Sequence, residues 1–366
     1  MARPRRFVLV VALALAALAT LLFAVSDTPT AAAVGRAPEF RHHLRTDEVK
    51  RLQERRTLAP IASAAPAFDP WAPGPQAPPR RDPFLVALPR DPSEPLVVLE
   101  ANALRHSQLG ELFVDCLFRA PGGDPFRELR ALGFDPLKDL DRVAVSSRGV
   151  VVSGFFARTR FDRLVEVSEV SSYGDAGRLL RSPVAAAAGG PVLGIWGTST
   201  LLLGERRFVE EGIDRLEGRA ADAPPVIPES LTYGEAYGVL SGKAIAGLFR
   251  GDPSGVGQKL ADVASRVELH ADAMSDVAMT AKVSGPDGGA VEDLGSALGA
   301  AMAVARLDAR ARGSAELAQL LEHARVLRGS GEFSLELAIP MDVLEGWFAG
   351  CGAGGGEPSR GAASAR

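Results

Sequence analysis

The chain has 366 residues and a net charge of −4, which is enough length for one large domain or two of ordinary size. Residues 1–95 carry 13 Lys and Arg and 9 Asp and Glu, a net charge of +4, so residues 96–366, with 28 basic and 36 acidic groups, carry −8. Because binding to phosphate backbones needs concentrated positive charge, this acidic part excludes nucleic acid as an expected partner.

The first 25 residues predict a membrane anchor. Three arginines, at positions 3, 5 and 6, precede Phe7–Val25, nineteen residues without a charge, a glycine or a proline. At about 1.5 Å of rise per residue, a helix of this run spans roughly 28 Å, close to the hydrocarbon thickness of a bilayer. A cleaved signal peptide is the alternative, since Ala24–Ser26 or Ala31–Ala33 fits a cleavage site. In both cases the arginines stay inside and the remaining chain is exported.

Residues 26–94 have the composition of a tether. Eleven prolines fall between Pro60 and Pro95 and repeatedly block regular structure. One short helix is predicted at Asp47–Arg56, where Thr46 is a suitable amino-terminal cap. If it is flexible, a tether of this length has a root-mean-square reach of roughly 45 Å.

Residues 95–230 form the first of two predicted halves, in which strand-like and helix-like periods alternate. A strand comes first, then a helix, and then two hairpins that are each followed by a helix. The predicted ranges are a strand at 96–99, a helix at 107–118, a hairpin of 142–147 with 150–156, a helix from about 159, a hairpin of 192–196 with 200–203, and a helix at 207–216.

Residues 231–349 form the second half and repeat the order of strand, helix, hairpin and helix. The predicted ranges are a strand at 236–240, a helix at 255–265, a hairpin of 266–273 with 277–283, helices at 290–309 and 315–327, a strand at 332–339 and a helix at 341–348. The glycine-rich residues 350–366 predict a disordered tail.

Antiparallel hairpins with intervening helices predict an α+β fold, in which helices pack on one face of an antiparallel sheet. The two halves are predicted to be loosely similar copies of one strand-helix-hairpin-helix unit. In the helix at 290–309, Gly295 and Gly299 are expected to permit close packing against the sheet.

Cys116 and Cys351 are the two cysteines of the chain. In an oxidising compartment this even count permits one disulfide, which would join the first helix of the folded part to its last. Closing so long a loop would stabilise the fold by about 5 kcal/mol. The alternative is that Cys116 is a small buried apolar residue with a free thiol.

Glu268, His270 and Asp272 form the best candidate for a polar site. Residues two apart on a strand share a face and lie about 6.6 Å apart, so two carboxylates flanking an imidazole can bind a metal or tune a proton-transfer group. The alternative is an ordinary solvated sheet face.

The solvated face follows if the hairpin turns around Ser275. That turn pairs Glu268 with Lys282, His270 with Thr280 and Asp272 with Ala278, and it puts Val267, Leu269 and Ala271 on the core side.

The strong catalytic signatures are missing from the sequence. It contains no GxxxxGK[ST] loop, no GxSxG elbow, no HExxH, no paired CxxC and no GxGxxG between a strand and a helix. We therefore predict no cofactor, no resident metal and no assigned catalytic residue.

Gly133–Val145, the hairpin that follows and the tripeptide Arg160-Phe161-Asp162 resemble uncharacterised exported α+β proteins of high-GC Gram-negative bacteria. The resemblance covers roughly the folded part, and it implies an envelope location without catalytic residues. Together with the apolar run, it predicts a single-pass inner-membrane protein whose bulk faces the periplasm. If the run is cleaved, the product is periplasmic or secreted.

Three functions are compatible with these features. The first is a non-catalytic, membrane-tethered domain that binds an envelope protein or glycan through its sheet face or helical edge. The second is a carrier of a small apolar molecule or lipid, since a helix layer on a curved sheet can enclose a cavity. The third is a hydrolase with dispersed catalytic residues such as His270.

Overall fold

The computed structural model describes residues 40–57, 81–119, 126–159, 161–183, 190–221, 223–246, 256–274 and 276–349. The apolar run Phe7–Val25, the proline-rich residues 58–80 and the glycine-rich tail lie outside these ranges. No helix within them combines the length and apolar character needed to cross a bilayer.

Twelve strands are present in the described ranges. They are β1 Leu96–Leu99, β2 Leu140–Ser146, β3 Gly149–Gly154, β4 Glu169–Tyr173, β5 Gly177–Arg181, β6 Val192–Trp196, β7 Thr200–Gly204, β8 Ala236–Leu240, β9 Arg266–Asp272, β10 Val277–Ser284, β11 Ala324–Arg328 and β12 Glu332–Ile339. All twelve join one antiparallel sheet in the order β11-β12-β10-β9-β8-β1-β2-β3-β7-β6-β5-β4. The α+β fold predicted from the sequence is thereby confirmed.

The helices of the same ranges lie before, between and after the strands. They are α1 Thr46–Thr57, α2 Pro83–Ala87, α3 Ala101–Arg105, α4 Gln108–Arg119, α5 Arg127–Ala131, α6 Pro136–Asp139, α7 Asp162–Val165, α8 Arg206–Leu216, α9 Gly242–Ala246, α10 Val256–Val263, α11 Gly288–Ala311, α12 Ala315–Glu322 and α13 Met341–Ala349, with a short 3₁₀ turn at Glu229–Leu231.

The two halves of the sheet share one topology. Their first strands, β1 and β8, pair with each other at the centre. Outward from β1 the order is β2, β3, β7 and β6, and outward from β8 it is β9, β10, β12 and β11. The hairpin of β4 and β5 extends the outer edge of the first half alone.

Helices cover opposite faces of the sheet in the two halves. Val239 on β8 packs in the cluster that contains α2 and α8, whereas its neighbour Leu240 packs with residues of α10 and α11. Consecutive strand residues point to opposite faces. We call the face of Val239 the front face and the face of Leu240 the back face. The prediction that the helices lie on one face is therefore wrong.

The front face of the first half carries the largest core. Phe84 and Leu88, in and after α2, and Phe208 and Ile213 of α8 are all at most 2% exposed. They pack with one face of the central strands, represented by Leu96, Val98, Val151 and Leu202. Burial of each large apolar side chain stabilises the fold by about 1.5–3 kcal/mol.

The back face of the second half is covered by α10 and α11. Phe333 of β12 packs with Val291 and Leu294 of α11. A Cβ atom added to Gly295 would lie 2.9 Å from the Phe333 ring, so the predicted close approach of this helix to the sheet is confirmed. At Gly299 the nearest atom is 3.8 Å away, on Val326.

Three segments differ from the sequence prediction. The helix predicted at 315–327 ends at Glu322, and residues 324–328 pair with β12 as the edge strand β11. The hairpin of β4 and β5 was not predicted. Residues 81–94, assigned by composition to the tether, belong to the folded part, since Phe84, Leu85, Ala87 and Leu88 are each at most 5% exposed.

Candidate functional site

The predicted polar cluster lies on the front face of the second half. Strand β9 pairs with β10 in the predicted register, Glu268 with Lys282, His270 with Thr280 and Asp272 with Ala278. The face is not solvated, however, because His270 and Asp272 are only 7% and 8% exposed. Residues 40–57, predicted to belong to the tether, contact this face and bury these side chains.

His270 is enclosed by the main chain and by an aromatic ring. Its imidazole stacks on Tyr233 with ring centroids 3.8 Å apart, and its Nδ1 lies 3.4 Å from the Tyr233 carbonyl oxygen. Burial lowers the pKa of His270 to about 4, so the ring is neutral at neutral pH. The cavity beside it measures about 10 Å³, space for about one water molecule. This geometry offers His270 no room for a substrate.

Asp272 binds two arginines of the covering segment. The guanidinium of Arg45 donates to Asp272 at 2.8 Å, and Arg41 forms a second ion pair with the same carboxylate. Glu48 links the same segment to the residues that precede β8. It pairs with Arg41 at 3.1 Å and accepts a hydrogen bond from the Gly234 amide at 2.9 Å.

The other end of α1 is held by a second group of charges. Arg55 donates to Glu100 at 2.7 Å and to Asp141 at 2.8 Å. Burial and the nearby Arg142 would lower the pKa of Arg55, but these carboxylates outweigh both effects and raise it. Glu100 also accepts a hydrogen bond from the Tyr237 hydroxyl at 2.9 Å. Two ion-pair groups thus clamp the helix at both ends.

We call residues 40–57 the strap. Its contacts with the sheet are mainly polar, and they include the pairs of Arg56 with Glu229 and of His42 with Glu336, the latter at 3.4 Å. In α1, Leu52 is buried at 6% exposure, whereas Val49 is 38% exposed. One buried leucine stabilises docking by about 1.5–3 kcal/mol, and ion pairs add little net stability after desolvation.

No metal centre accompanies these charges. Across the described ranges, no group of three or more His, Cys, Asp or Glu side chains has the arrangement needed to hold a metal ion. Glu268 is engaged by Arg266, whose Nε donates to it at 2.8 Å. Of the three residues predicted as a cluster, Asp272 docks the strap, whereas Glu268 pairs with Arg266 and His270 stacks on Tyr233.

Cys116 on α4 is disulfide-bonded. Helix α4 packs against α13, and Leu112 shares an apolar cluster with Leu344. Cys351 lies outside the described residues, so its pairing with Cys116 stays a prediction.

A second feature lies on the back face of the first half, where aliphatic side chains form a continuous row across five strands. We call this row the aliphatic face. Its members point to the same side of the paired strands β1, β2, β3, β7 and β6, and they are Val97, Leu99, Val143, Val145, Val150, Val152, Leu193, Ile195, Leu201 and Leu203.

The aliphatic face is incompletely covered. Nine of the ten side chains are half-buried and Ile195 is 9% exposed, and none of the ten belongs to the three clusters of packed apolar side chains in the described part of the chain. Their neighbours on the front face, Val98, Ala144, Val151 and Leu202, are at most 1% exposed. Toward the outer edge of the same side, Leu180 of β5 is 3% exposed and Val170 of β4 is 45% exposed.

A cleft of about 380 Å³ opens between α4 and α6. Its lining is mixed, with the side chains of Arg105, Glu111, Val114, Asp115 and Leu137. The same helix α4 exposes two aromatic rings, Phe113 at 42% and Phe118 at 37%. Helix α4 therefore presents aromatic surface beside a cleft of mixed polarity.

Comparison with known proteins yields one distant structural match. No protein-family model matches the chain, and no curated protein matches it significantly. The solved structure of TP0453 from Treponema, in crystal form I, aligns with a TM-score of 0.39 and 10% identity over 72% of this chain and 95% of that chain. A similarity at this level supports no inference about what this chain binds.

Sequence reasoning missed both the strap and the aliphatic face. The strap contacts join residues as far apart as Arg45 and Asp272, which are 227 positions apart, and no local pattern signals such pairs. The aliphatic face had a visible signal in the consecutive apolar residues of β2, β3 and β7, which make both faces of these strands apolar. Such runs do not reveal which face of a strand the helices leave uncovered.

Proposed function

We propose that the chain is a non-catalytic, membrane-tethered extracytoplasmic domain that binds the acyl chains of membrane lipid on its aliphatic face. The observation that carries this proposal is the row of nine half-buried valines and leucines without opposing core packing. Contiguous apolar surface on a folded protein marks a site of interaction with a ligand, a partner or a membrane.

The chemistry of the face favours an acyl chain over a protein. Its members are all aliphatic, and they offer no charge and no hydrogen-bonding group to a ligand. Protein interfaces are instead enriched in Tyr, Trp, Phe, Met and Arg at their centre and have a polar rim. An acyl chain gains about 25 cal/mol for each Å² of apolar surface removed from water, and it needs no specific polar contact.

The docked strap supports lipid as the occupant, because it shortens the tether. The apolar run ends at Val25 and the strap begins at Phe40, so fourteen residues, 26–39, separate them. Fourteen flexible residues have a root-mean-square reach of about 21 Å. If Phe7–Val25 spans the inner membrane, the folded part is held beside a lipid surface.

Lipid binding is tested with the full chain purified in detergent. Lipids extracted from it are identified by mass spectrometry, and the affinity for a fluorescent acyl-chain probe is measured. Val150→Asn and Leu201→Asn each remove an aliphatic group from the face, and we expect each to weaken probe binding at least about tenfold, equivalent to about 1.4 kcal/mol.

Leu327→Asn is the matched control, because Leu327 is 43% exposed on β11, outside the aliphatic face. It should leave probe binding unchanged. Equal affinities in all three variants, or a purified chain that carries no lipid and binds no probe, would contradict the proposal. Reproducible capture of an envelope protein or glycan by Leu201→Asn and wild type alike would favour the protein or glycan partner instead.

The location is tested separately in bacterial cells. We expect the chain to remain in the membrane pellet after alkaline extraction and to be digested by protease once the outer membrane is opened. A chain that is recovered in the soluble cytoplasmic fraction, with Cys116 in the thiol form, would overturn the membrane-tethered assignment.

A further inference from the structure

We propose that the strap is a releasable element, which docks on the front face through two charge clamps and detaches as a unit while α2 and the sheet stay folded. Release lengthens the tether and uncovers the polar side chains of β8 and β9. The change in tether length rests on the proposed membrane anchor, whereas release of the strap from the sheet does not depend on the anchor.

The two clamps lie at opposite ends of the strap. At the first, Arg41 and Arg45 meet Asp272, and at the second, Arg55 meets Glu100 and Asp141. The inner members are shielded, since the Arg55 and Glu100 side chains are 13% and 5% exposed. Between the clamps, α1 contributes one buried leucine, Leu52, which is 6% exposed. The docked strap therefore buries few apolar groups, and removing one partner of a shielded pair would leave the other charge uncompensated.

Helix α2 is attached in a different way, although it comes from the same proline-rich region. Phe84, Leu85 and Leu88 are at most 5% exposed in the core of the first half. Asp82, at the start of α2, forms a bidentate ion pair with the buried Arg142 at 2.6 and 2.8 Å. Apolar burial holds this helix, so we expect α2 to stay packed on the sheet when the strap detaches.

A long stretch of sequence separates the two helices. Residues 58–80, twenty-three in number and including seven prolines, separate α1 from Arg81. When the strap is docked, the spacer between the apolar run and the folded part is fourteen residues, 26–39, and when it is released the spacer is fifty-five residues, 26–80. Flexible chains of these two lengths have root-mean-square reaches of about 21 Å and about 41 Å.

Release also changes what the front face presents. Asp272 and Glu100 lose their arginine partners, and His270 loses the cover of Arg41, which lines the small cavity beside it. The uncovered surface is acidic. Docked and released forms therefore differ both in distance from the anchor and in surface charge.

Hydrogen–deuterium exchange of the full chain in detergent tests the proposal, because it reports α1 and α2 separately. We expect α1 to exchange at least about tenfold faster than α2. Its exchange should accelerate when salt is raised from about 50 mM to about 500 mM, since Arg45 and Asp141, the outer members of the two clamps, are 38% and 28% exposed and their ion pairs are screened. The double variant Asp272→Asn with Glu100→Gln should accelerate exchange of α1 at least about tenfold further and leave α2 unchanged.

The matched control is Asp308→Asn, which removes a surface ion pair with Arg312 on α11 and should leave α1 unchanged. The proposal would be overturned if α1 exchanged at the same rate as α2 and responded to neither salt nor the double variant. It would also be overturned if the strap and the sheet lost protection together. If the double variant fails to fold, the salt series on the unmodified chain decides. Neither readout depends on lipid binding or on the anchor.

Discussion

Arg142 of β2 and Asp82 before α2 form a bidentate ion pair in which the side chains are 2% and 0% exposed. Sixty positions of sequence separate the partners. Arg142 also lies over the Phe84 ring, at 4.2 Å from its centroid, and Asp82 accepts a hydrogen bond from the Phe84 amide at 3.0 Å. One charge pair thus caps α2, orients its aromatic residue and joins it to the sheet.

Removing one partner of this pair should be strongly destabilising. Arg142→Met leaves the Asp82 carboxylate buried without its countercharge, and we expect the free energy of unfolding to fall by about 3–5 kcal/mol. Urea unfolding followed by circular dichroism measures the change. Arg312→Met is the control, because its pair with Asp308 is exposed, and it should cost less than about 1 kcal/mol. A similar small loss in both variants would show that the buried pair is not needed for stability.

Stability should fall in mild acid because of His270. Burial lowers its pKa to about 4 from the ordinary 6.5, so between these values the unfolded chain binds a proton that the folded protein does not. The free energy of unfolding should therefore fall by about 3 kcal/mol as the pH drops from about 6.5 to about 4.

His270→Phe removes the titration and keeps a ring to stack on Tyr233. Urea unfolding at a series of pH values should show a smaller fall between about pH 6.5 and 4 than in the wild type. Burial raises the pKa of Glu235, which acts with the opposite sign, but this contribution is present in both proteins and cancels in the comparison. Parallel pH profiles would mean that His270 titrates normally in the folded state.

Replacement of two glycines of α11 by alanine should change the stability of the protein in opposite directions. At Gly295 a new Cβ would lie 2.9 Å from the Phe333 ring, and we expect Gly295→Ala to destabilise by about 1–3 kcal/mol. At Gly299 the nearest atom is 3.8 Å away, so Gly299→Ala should stabilise by up to about 1 kcal/mol through higher helix propensity. Thermal unfolding of the two variants compares them directly, and equal shifts of the same sign would refute the close packing at Gly295.

A thiol reagent and gel migration should detect the disulfide of Cys116. Unreduced, denatured protein should give no reaction with a thiol reagent, and reduction should release two thiols and slow migration on a denaturing gel. Cys116→Ser should lower the free energy of unfolding by about 2–5 kcal/mol. Two reactive thiols before reduction would exclude the predicted bond to Cys351.

The hairpins could be predicted because their signals are local. Strand alternation and a short turn fixed the pairing of β9 with β10 residue by residue, including His270 with Thr280. The repeated order of elements likewise predicted two similar halves, and both halves have the same strand order. In the hairpins the deciding interactions join residues close in sequence, whereas the strand order of each half also depends on the distant pairs of β3 with β7 and of β10 with β12.

Other elements required information that a local pattern does not contain. Residues 324–328 continue the apolar spacing of α12 and look helical, but pairing with β12 makes them a strand. Helix α2 was hidden by the surrounding prolines, although Asp82 before Pro83 is a helix-start signal. The strap had a predictable helix but no predictable docking, because its charged partners are distant in sequence.

The docking of the strap also has a consequence for the order in which the molecule is completed. Synthesis proceeds from the amino terminus, so Arg41 and Arg45 emerge early, while Asp272 is added more than two hundred residues later. The first clamp cannot close until β9 exists, so the segment made first among the described elements waits for one made much later. A nascent chain halted before β9 would leave Arg41 and Arg45 without this acceptor, and a closed first clamp therefore signals that synthesis has passed the central strands.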